Sequence, residues 1–169
     1  MKQPVYLGLG SNLGDSKQLL LSACEKIRKV PTVEHIKASS IYLTTPVSDI
    51  PQPDYCNMAL SFYAKLPPLE LFSALQQIER DLGKKPKEKN QPRKIDIDML
   101  YYGHMTLQTK ELILPHPEIL HRLFVLKPLQ ELTNELPNIS NLNNYMNNFP
   151  NIHQEKVEKV YEPYRFAAI

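Results

Sequence analysis

Cysteine is scarce, long apolar runs are missing and neither sign of charge dominates, and each of these absences excludes a class of protein. The chain of 169 residues has two cysteines. Cys24 and Cys56 lie in apolar-periodic segments without metal-ligand spacing, which argues against a disulfide framework, a thiolate metal site or a catalytic thiol and for reduced core residues. The opening Met1-Lys2-Gln3-Pro4-Val5-Tyr6-Leu7-Gly8 holds an apolar stretch too short for a secretion signal, and no segment approaches the roughly 20 apolar residues of a membrane-spanning helix. A cytoplasmic protein with no membrane partner is the expectation. The formal net charge of +2 is too small to argue for nucleic acid by itself, although the basic residues cluster between 84 and 94. Neither an internal repeat nor a linker divides the sequence. This length suits one domain, residues 1–169, burying about 70% of the surface that the unfolded chain exposes.

What is present is organised around residues 92–100, Pro92-Arg93-Lys94-Ile95-Asp96-Ile97-Asp98-Met99-Leu100. Strict alternation with branched apolar residues predicts a strand with Ile95, Ile97 and Met99 on one face and Asp96 and Asp98 on the other. Two aspartates on one strand face are about 6.6 Å apart at Cα and repel unless a cation lies between them. A charged edge strand would carry them outward into water. Asp is depleted from strands, however, so the pair works against strand stability and points to a role other than folding. Magnesium is the fitting ion, since it takes one or two carboxylates together with phosphate oxygens.

Around this stretch the chain alternates strands and helices. Residues 5–10 read as a buried first strand, and residues 11–16 as a turn ending in helix-capping residues. Leu19, Leu20, Ala23, Cys24, Ile27 and Val30 recur at helical spacing before Pro31. The spacing Gly8-x-Gly10-x-x-x-Gly14 is one residue too long for a dinucleotide fingerprint and lacks the Lys-Ser/Thr ending of a P-loop, so the glycines read as turn geometry. Residues 33–42 lean towards strand and run into Thr44-Thr45-Pro46-Val47 and a proline-stiffened loop. Residues 55–64 are a third strand, whose Tyr55 and Asn57 share a face. A ring that stacks and an amide with donors and an acceptor suit a planar heterocycle, and equally a strand-start Tyr and an Asx turn. Pro67-Pro68 opens a second helix with Leu71, Phe72, Leu75, Ile78 and Leu82 as its apolar stripe, Gln76 and Glu79 off that stripe, and Gly83 as its stop. Residues 84–92 read as a polar, basic loop, either a solvated charge run or, from its place just before the two acids, an arrangement expected where a polyphosphate and its metals are gripped together. Residues 105–112 read as a hairpin arm. His116, between two prolines, is a phosphate donor or a turn residue. Residues 119–132 read as a helix that begins near Glu118 and is interrupted or ended around Pro128. Residues 134–151, with eight Asn in eighteen, read as loop-like, and residues 154–161 as a strand or short helix.

Taken together, Gly10-Ser11-Asn12-Leu13-Gly14-Asp15, Tyr42-x-Thr44-x-Pro46, Pro53-Asp54-Tyr55-x-Asn57, Pro92-Arg93-x-Ile95-Asp96-Ile97-Asp98 and Leu114-Pro115-His116-Pro117 with Arg122 and Phe124 resemble the 6-hydroxymethyl-7,8-dihydropterin pyrophosphokinases of folate biosynthesis. The order and spacing match from residue 5 to about 130. The resemblance implies a ferredoxin-like α+β fold with a mostly antiparallel sheet, helices on one face, and substrates on the other side among long loops. It implies transfer of the β,γ-diphosphate of ATP to the pterin hydroxymethyl oxygen with release of AMP. By resemblance, Asp96 and Asp98 would hold two Mg2+ ions, and Arg93 and Lys84 would supply catalytic charge. ATP would meet Gln76, Glu79, Lys87, His116 and Arg122. Pterin would lie between Tyr55 and Phe124, read by Asn57 and by Thr44, Thr45, Pro46 and Val47. ATP and 6-hydroxymethyl-7,8-dihydropterin are the implied partners, with neither nucleic acid nor an obligate protein partner.

The sequence departs from the family's pattern at several points. Many relatives carry Arg where Lys84 stands; Lys89-Asn90-Gln91 replaces a frequent Arg-Trp-Gly, and no Trp occurs anywhere in the chain. Ser48 replaces a frequent Gly, and Glu111 stands where a basic residue would help hold ATP. Two alternatives stay open at this point: a ferredoxin-like module that applies its basic loop to RNA or DNA, and a weakly active relative that keeps ATP binding.

Overall fold

Alternating burial along the first strand sets the layering. In a computed structural model that describes residues 1–45, 51–84, 94–150 and 155–167, Val5, Leu7 and Leu9 are buried in one core, and Tyr6, Gly8 and Gly10 face the other way. The elements run β1 (Gln3–Ser11), α1 (Ser16–Arg28), β2 (Glu34–Ala38), β3 (Ile41–Thr44), β4 (Tyr55–Ala64), α2 (Pro68–Asp81), β5 (Asp96–Tyr102), β6 (Leu107–Gln108), β7 (Ile113–Leu114), α3 (Leu123–Gln130), α4 (Leu142–Asn147) and β8 (Val157–Tyr161). The main sheet is antiparallel in the order β5-β1-β4-β3-β8, with β2 also paired to β4. β6 and β7 form the expected hairpin.

Both long helices form where their apolar spacing and end signals place them. Leu20, Ala23, Cys24 and Ile27 make the buried stripe of α1, and the Asp15 side chain caps it by accepting from Gln18 N. Pro68 starts α2 at a position where its missing N–H costs nothing, and Leu71, Leu75 and Ile78 face inward. These helices pack on the Val5–Leu7–Leu9 face with Ile95, Ile97 and Met99 from the β5 region. Residues 92–93 lie outside the described part of the chain, and the strand begins at Asp96.

The opposite face also carries helices, whereas the family resemblance implied one helical face. α3 and α4, with a 3-10 turn at Ile119–His121, bury Leu126, Leu129, Leu136, Ile139 and Leu142 against Ala59, Leu100 and Tyr101. A bulge makes this contact possible. Leu7 pairs with Met99 while Tyr6 pairs with Tyr101, so Leu100 is the extra residue and two consecutive side chains enter the second core. This layer covers one end of the face and leaves the end with Gly8, Gly10, Asp96 and Asp98 open. The break in residues 119–132 falls at Arg122, which is extended between the 3-10 turn and α3, and not near Pro128, which lies inside α3.

Two further segments differ from their sequence reading. Residues 33–42 split into β2 and β3, and Ser39 bridges the gap: its N–H donates to Ala59 O and its Oγ accepts from Ala59 N. The Asn-rich segment contains a helix and is bonded in place. Asn141 caps α4 through Asn144 N, and Asn134 accepts from Asn143 N and Leu142 N. Asn138 also accepts from the Tyr101 hydroxyl. Among the described residues no helix is long and apolar enough to cross a membrane.

Candidate active site

Strand register brings the site together. Asp96 lies opposite Gly10, Gly10 opposite Asn57, and Asn57 opposite Tyr42, across four adjacent strands. Asp98 and Gly8 are paired one step along. The two glycines leave a bare backbone floor between the acids and the amide. The floor opens into a cavity of about 560 Å³ lined on one side by Asp96, Asp98 and Leu100, on another by Thr44, Thr45, Tyr55 and Asn57, and closed by His116, Glu118, Arg122, Phe124 and Val125. That volume lies within the range of ordinary small-molecule sites.

Gly10 is required by close approach. A Cβ there would lie 2.6 Å from Asn57 Oδ1, closer than carbon and oxygen tolerate. The Asn57 amide cannot simply turn away, because its Nδ2 donates to Thr44 Oγ1 at 2.6 Å and the residue is 8% exposed. These two glycines sit inside a strand rather than in a turn. Only Gly14, at φ +85, serves the turn that follows.

At the acidic end Lys84 is the organising cation. Its Nζ donates to Asp96 Oδ1 at 2.9 Å and to Glu79 Oε2 at 3.0 Å. Glu79 faces inward on α2, 7% exposed, because it follows Leu75 by four residues; the apolar stripe thus continues through it. Its carboxylate also accepts from Ile97 N at 2.7 Å. Burial pushes the Glu79 pKa up, against the pull of that backbone bond and of Lys84. Burial likewise works against the Lys84 charge, but the Asp96 and Glu79 carboxylates outweigh it and its pKa is raised.

At the far wall, His116 N donates to Leu100 O, and His116 Nδ1 accepts from Glu118 N. The second bond assigns the ring proton to Nε2, so the neutral imidazole is a donor. Burial, reinforced by Arg122, pushes its pKa down. The Arg122 guanidinium lies 5.6 Å from the Phe124 ring centroid, a cation-π distance.

Asp96 and Asp98 suit a hard divalent ion. Both are oxygen donors on one face beside glycine, and among the described residues no group of three His, Cys, Asp or Glu side chains is gathered. The remaining coordination positions would fall to water and phosphate oxygens, the set magnesium prefers. Of the residues singled out from sequence, Asp96, Asp98, His116, Arg122, Phe124, Thr44, Thr45, Tyr55 and Asn57 line this one cavity. Lys84 and Glu79 adjoin it through Asp96, and Gln76 is exposed on α2. Pro46, Val47, Lys87 and Arg93 lie outside the described residues.

Residues 6–134 match the family profile of 7,8-dihydro-6-hydroxymethylpterin-pyrophosphokinase, HPPK. The chain belongs to this family. It is 41% identical over 130 residues to the bifunctional protein FolKE of Lactococcus lactis, with 77% of this chain matched and only 37% of that protein's length spanned. Against 2-amino-4-hydroxy-6-hydroxymethyldihydropteridine pyrophosphokinase of Bacillus subtilis it is 38% identical over 136 residues, covering 80% of this chain and 81% of that one. Among solved structures, Plasmodium falciparum HPPK-DHPS with pteroate aligns at a TM-score of 0.68 and 14% identity over 87% of this chain and 42% of that chain. That likeness concerns the fold, a ferredoxin-like α+β arrangement.

The geometry adds residues that were not singled out from sequence as site residues, Gly8, Gly10 and Glu118, and gives Thr44 a specific task. Gly8 and Gly10 form the floor, Glu118 orients His116, and the Thr44 hydroxyl orients Asn57. The signal available in the sequence was the i, i+2 spacing of Gly8 and Gly10 in a segment already read as a strand.

Proposed function

We propose that this member of the HPPK family transfers diphosphate from ATP to 6-hydroxymethyl-7,8-dihydropterin, giving AMP and the pterin diphosphate, as a step of folate biosynthesis. The observation that carries this reading is the line from Asp96 through Gly10 to Asn57. Two strand spacings separate its ends by roughly 10 Å, so phosphates fit at the acidic end and a bicyclic ring at the amide end of one cavity.

The hydroxymethyl oxygen attacks the β-phosphorus. A new O–P bond forms as the bond from β-phosphorus to the α,β-bridging oxygen breaks. AMP leaves with that oxygen and its electron pair, and the hydroxyl proton is released. Catalysis then consists of alignment and charge neutralisation. Two magnesium ions held by Asp96 and Asp98 would supply that neutralisation along the phosphate chain. Tyr55 and Phe124 sandwich the pterin ring, and Asn57 reads its hydrogen-bonding edge together with Thr44, Thr45, Pro46 and Val47. His116 donates through Nε2 to a phosphate oxygen, and Arg122 and Lys87 hold the triphosphate. Arg93 and Lys84 face the transferring group. Glu79 acts through Lys84, and Gln76 belongs to the nucleotide side. Residues 1–169 form one pyrophosphokinase domain in this reading. The cytoplasm is its compartment, in keeping with Cys24 and Cys56 as free thiols.

Release of AMP from ATP in the presence of magnesium and the pterin tests the reaction. Asp96→Ala and Asp98→Ala are each expected to lower the rate at least about a hundredfold. A rate unchanged by both substitutions refutes the assignment.

A further inference from the structure

We propose that the C-terminal strand β8, which lies beyond the 6–134 family match, is a positioning element for the pterin end of the site. This rests on the reaction proposed above. β3 has four residues, and β4 pairs with its inner edge. A strand that short, with one neighbour, opens readily. β8 supplies the second neighbour along its outer edge, with Thr44 opposite Val157 and Leu43 opposite Glu158. Thr45 N, one residue past the end of β3, donates to Lys156 O at 3.2 Å.

The strand is anchored away from the cavity. The Lys17 ammonium lies 4.1 Å from the Tyr161 ring centroid. Tyr164 OH donates to Glu25 Oε2 at 2.7 Å, and Tyr164 and Phe166 pack together on the first core. All three contacts tie β8 and the chain after it to α1 or to the core beneath it. No residue of β8 lines the cavity. Its effect passes through β3: with Thr44 facing β4 on one edge and its neighbours Leu43 and Thr45 held by β8 on the other, the Thr44 hydroxyl accepts from Asn57 Nδ2, and Asn57 Oδ1 is left over Gly10. The orientation of the amide that reads the pterin thus depends on a strand outside the site.

The bonded Thr45/Lys156 pair fixes which N–H groups of β8 matter. Bonded pairs alternate along an antiparallel ladder, so the next is Leu43 with Glu158. Glu158→Pro removes that donor and breaks the ladder. Glu158→Ala keeps it and loses only an exposed contact to Lys156 at 3.7 Å, which is worth little. In Glu158→Pro, hydrogen exchange at the Thr45 amide is expected to accelerate at least tenfold, with the KM for pterin rising about tenfold, the scale of one lost hydrogen bond. The KM for ATP should stay within about twofold on the same scale. Glu158→Ala should match the wild type throughout. The proposal is overturned by Thr45 exchange that stays slow in Glu158→Pro, by fast exchange with an unchanged pterin KM, or by an equal rise in both KM values. A wild type that releases no AMP overturns the proposed reaction together with this role; an active wild type with an unaffected variant overturns this role alone.

Discussion

Replacing Gly10 by Ala tests the floor of the site most directly, because Gly8 provides an internal control one step along the same face. At Gly10 the new Cβ would stand 2.6 Å from Asn57 Oδ1, whereas at Gly8 it would meet Leu100 Cδ1 at 3.5 Å, an ordinary contact. Neither glycine has the positive φ that would penalise Ala by itself. Ala at either position therefore gains about 0.4–1 kcal/mol from a less flexible unfolded chain. For Gly8→Ala that gain is the whole expected effect on stability. Gly10→Ala must in addition displace an amide pinned to Thr44 Oγ1, an overpacking cost of about 1–3 kcal/mol. The net loss is about 1–2 kcal/mol, or a Tm lower by roughly 2–8 °C for a chain of this size. Displacing the amide also moves the group assigned to the pterin edge, so the KM for pterin should rise about tenfold while the KM for ATP holds. Thermal unfolding and steady-state AMP release measure both. Equal Tm values and equal pterin KM values in the two variants would refute the close-approach argument.

Glu131, at the end of α3, ties that helix to the start of β3: it accepts from Ser40 N and Ser40 Oγ, each at 2.9 Å, and from the Tyr42 hydroxyl. Glu131→Gln weakens these charge-assisted bonds and, because Glu131 is solvent-exposed and its charge therefore screened, is expected to cost about 0.5–1.5 kcal/mol, read as a lower urea midpoint; an unchanged midpoint would contradict it. His116 supplies a pH signature. Its folded pKa lies below the ordinary 6.5 because of burial and then Arg122, so the neutral ring contributes stability above the unfolded value. That contribution is lost as pH falls through the folded value. Urea midpoints between pH 7.5 and 5 should fall more steeply for the wild type than for His116→Asn, and parallel curves would remove His116 as the source.

How much of this was legible depends on whether a feature is local. β4 is the strand read from residues 55–64, because a short apolar and aromatic run of ten residues is bounded by proline-rich turn segments. Asp96 and Asp98 fall on one face because side-chain alternation is a property of a single strand. The floor is different in kind. Glycine has no side chain to contribute to a periodic pattern, and only the register of β5, β1 and β4 sets Gly10 between Asp96 and Asn57. Glu79 was placed off the apolar stripe on chemical type, although its spacing from Leu75 put it on the stripe. What makes its burial tolerable, the bonds to Ile97 N and Lys84, comes from β5 and from the chain just beyond α2. The Asn-rich segment hid α4 because a six-residue helix is too short to establish a period, and its order derives from caps and from Leu136, Ile139 and Leu142 meeting Leu100 and Tyr101 across the bulge.

The substitution of Lys84 for a frequent family Arg takes on a definite physical meaning in this setting. An ammonium is a compact charge whose three donors point in separate directions, and here two of them reach carboxylates on different elements, Glu79 on α2 and Asp96 on β5. A guanidinium is a flat fork suited to two oxygens of a single carboxylate or phosphate. Lysine at this position thus links the helix to the strand as well as carrying charge. Its backbone adds to the link, since Lys84 N donates to Glu79 O at 2.9 Å. Asp96, one of the two acids proposed to hold magnesium, is therefore held by a residue rooted at the end of α2. A cation binding Asp96 has to share it with Lys84 or displace it. In displacing it, that cation would free an ammonium within reach of the phosphates it accompanies. Glu79, buried and still bonded to Ile97 N, keeps an anchor for that side chain while the charge moves.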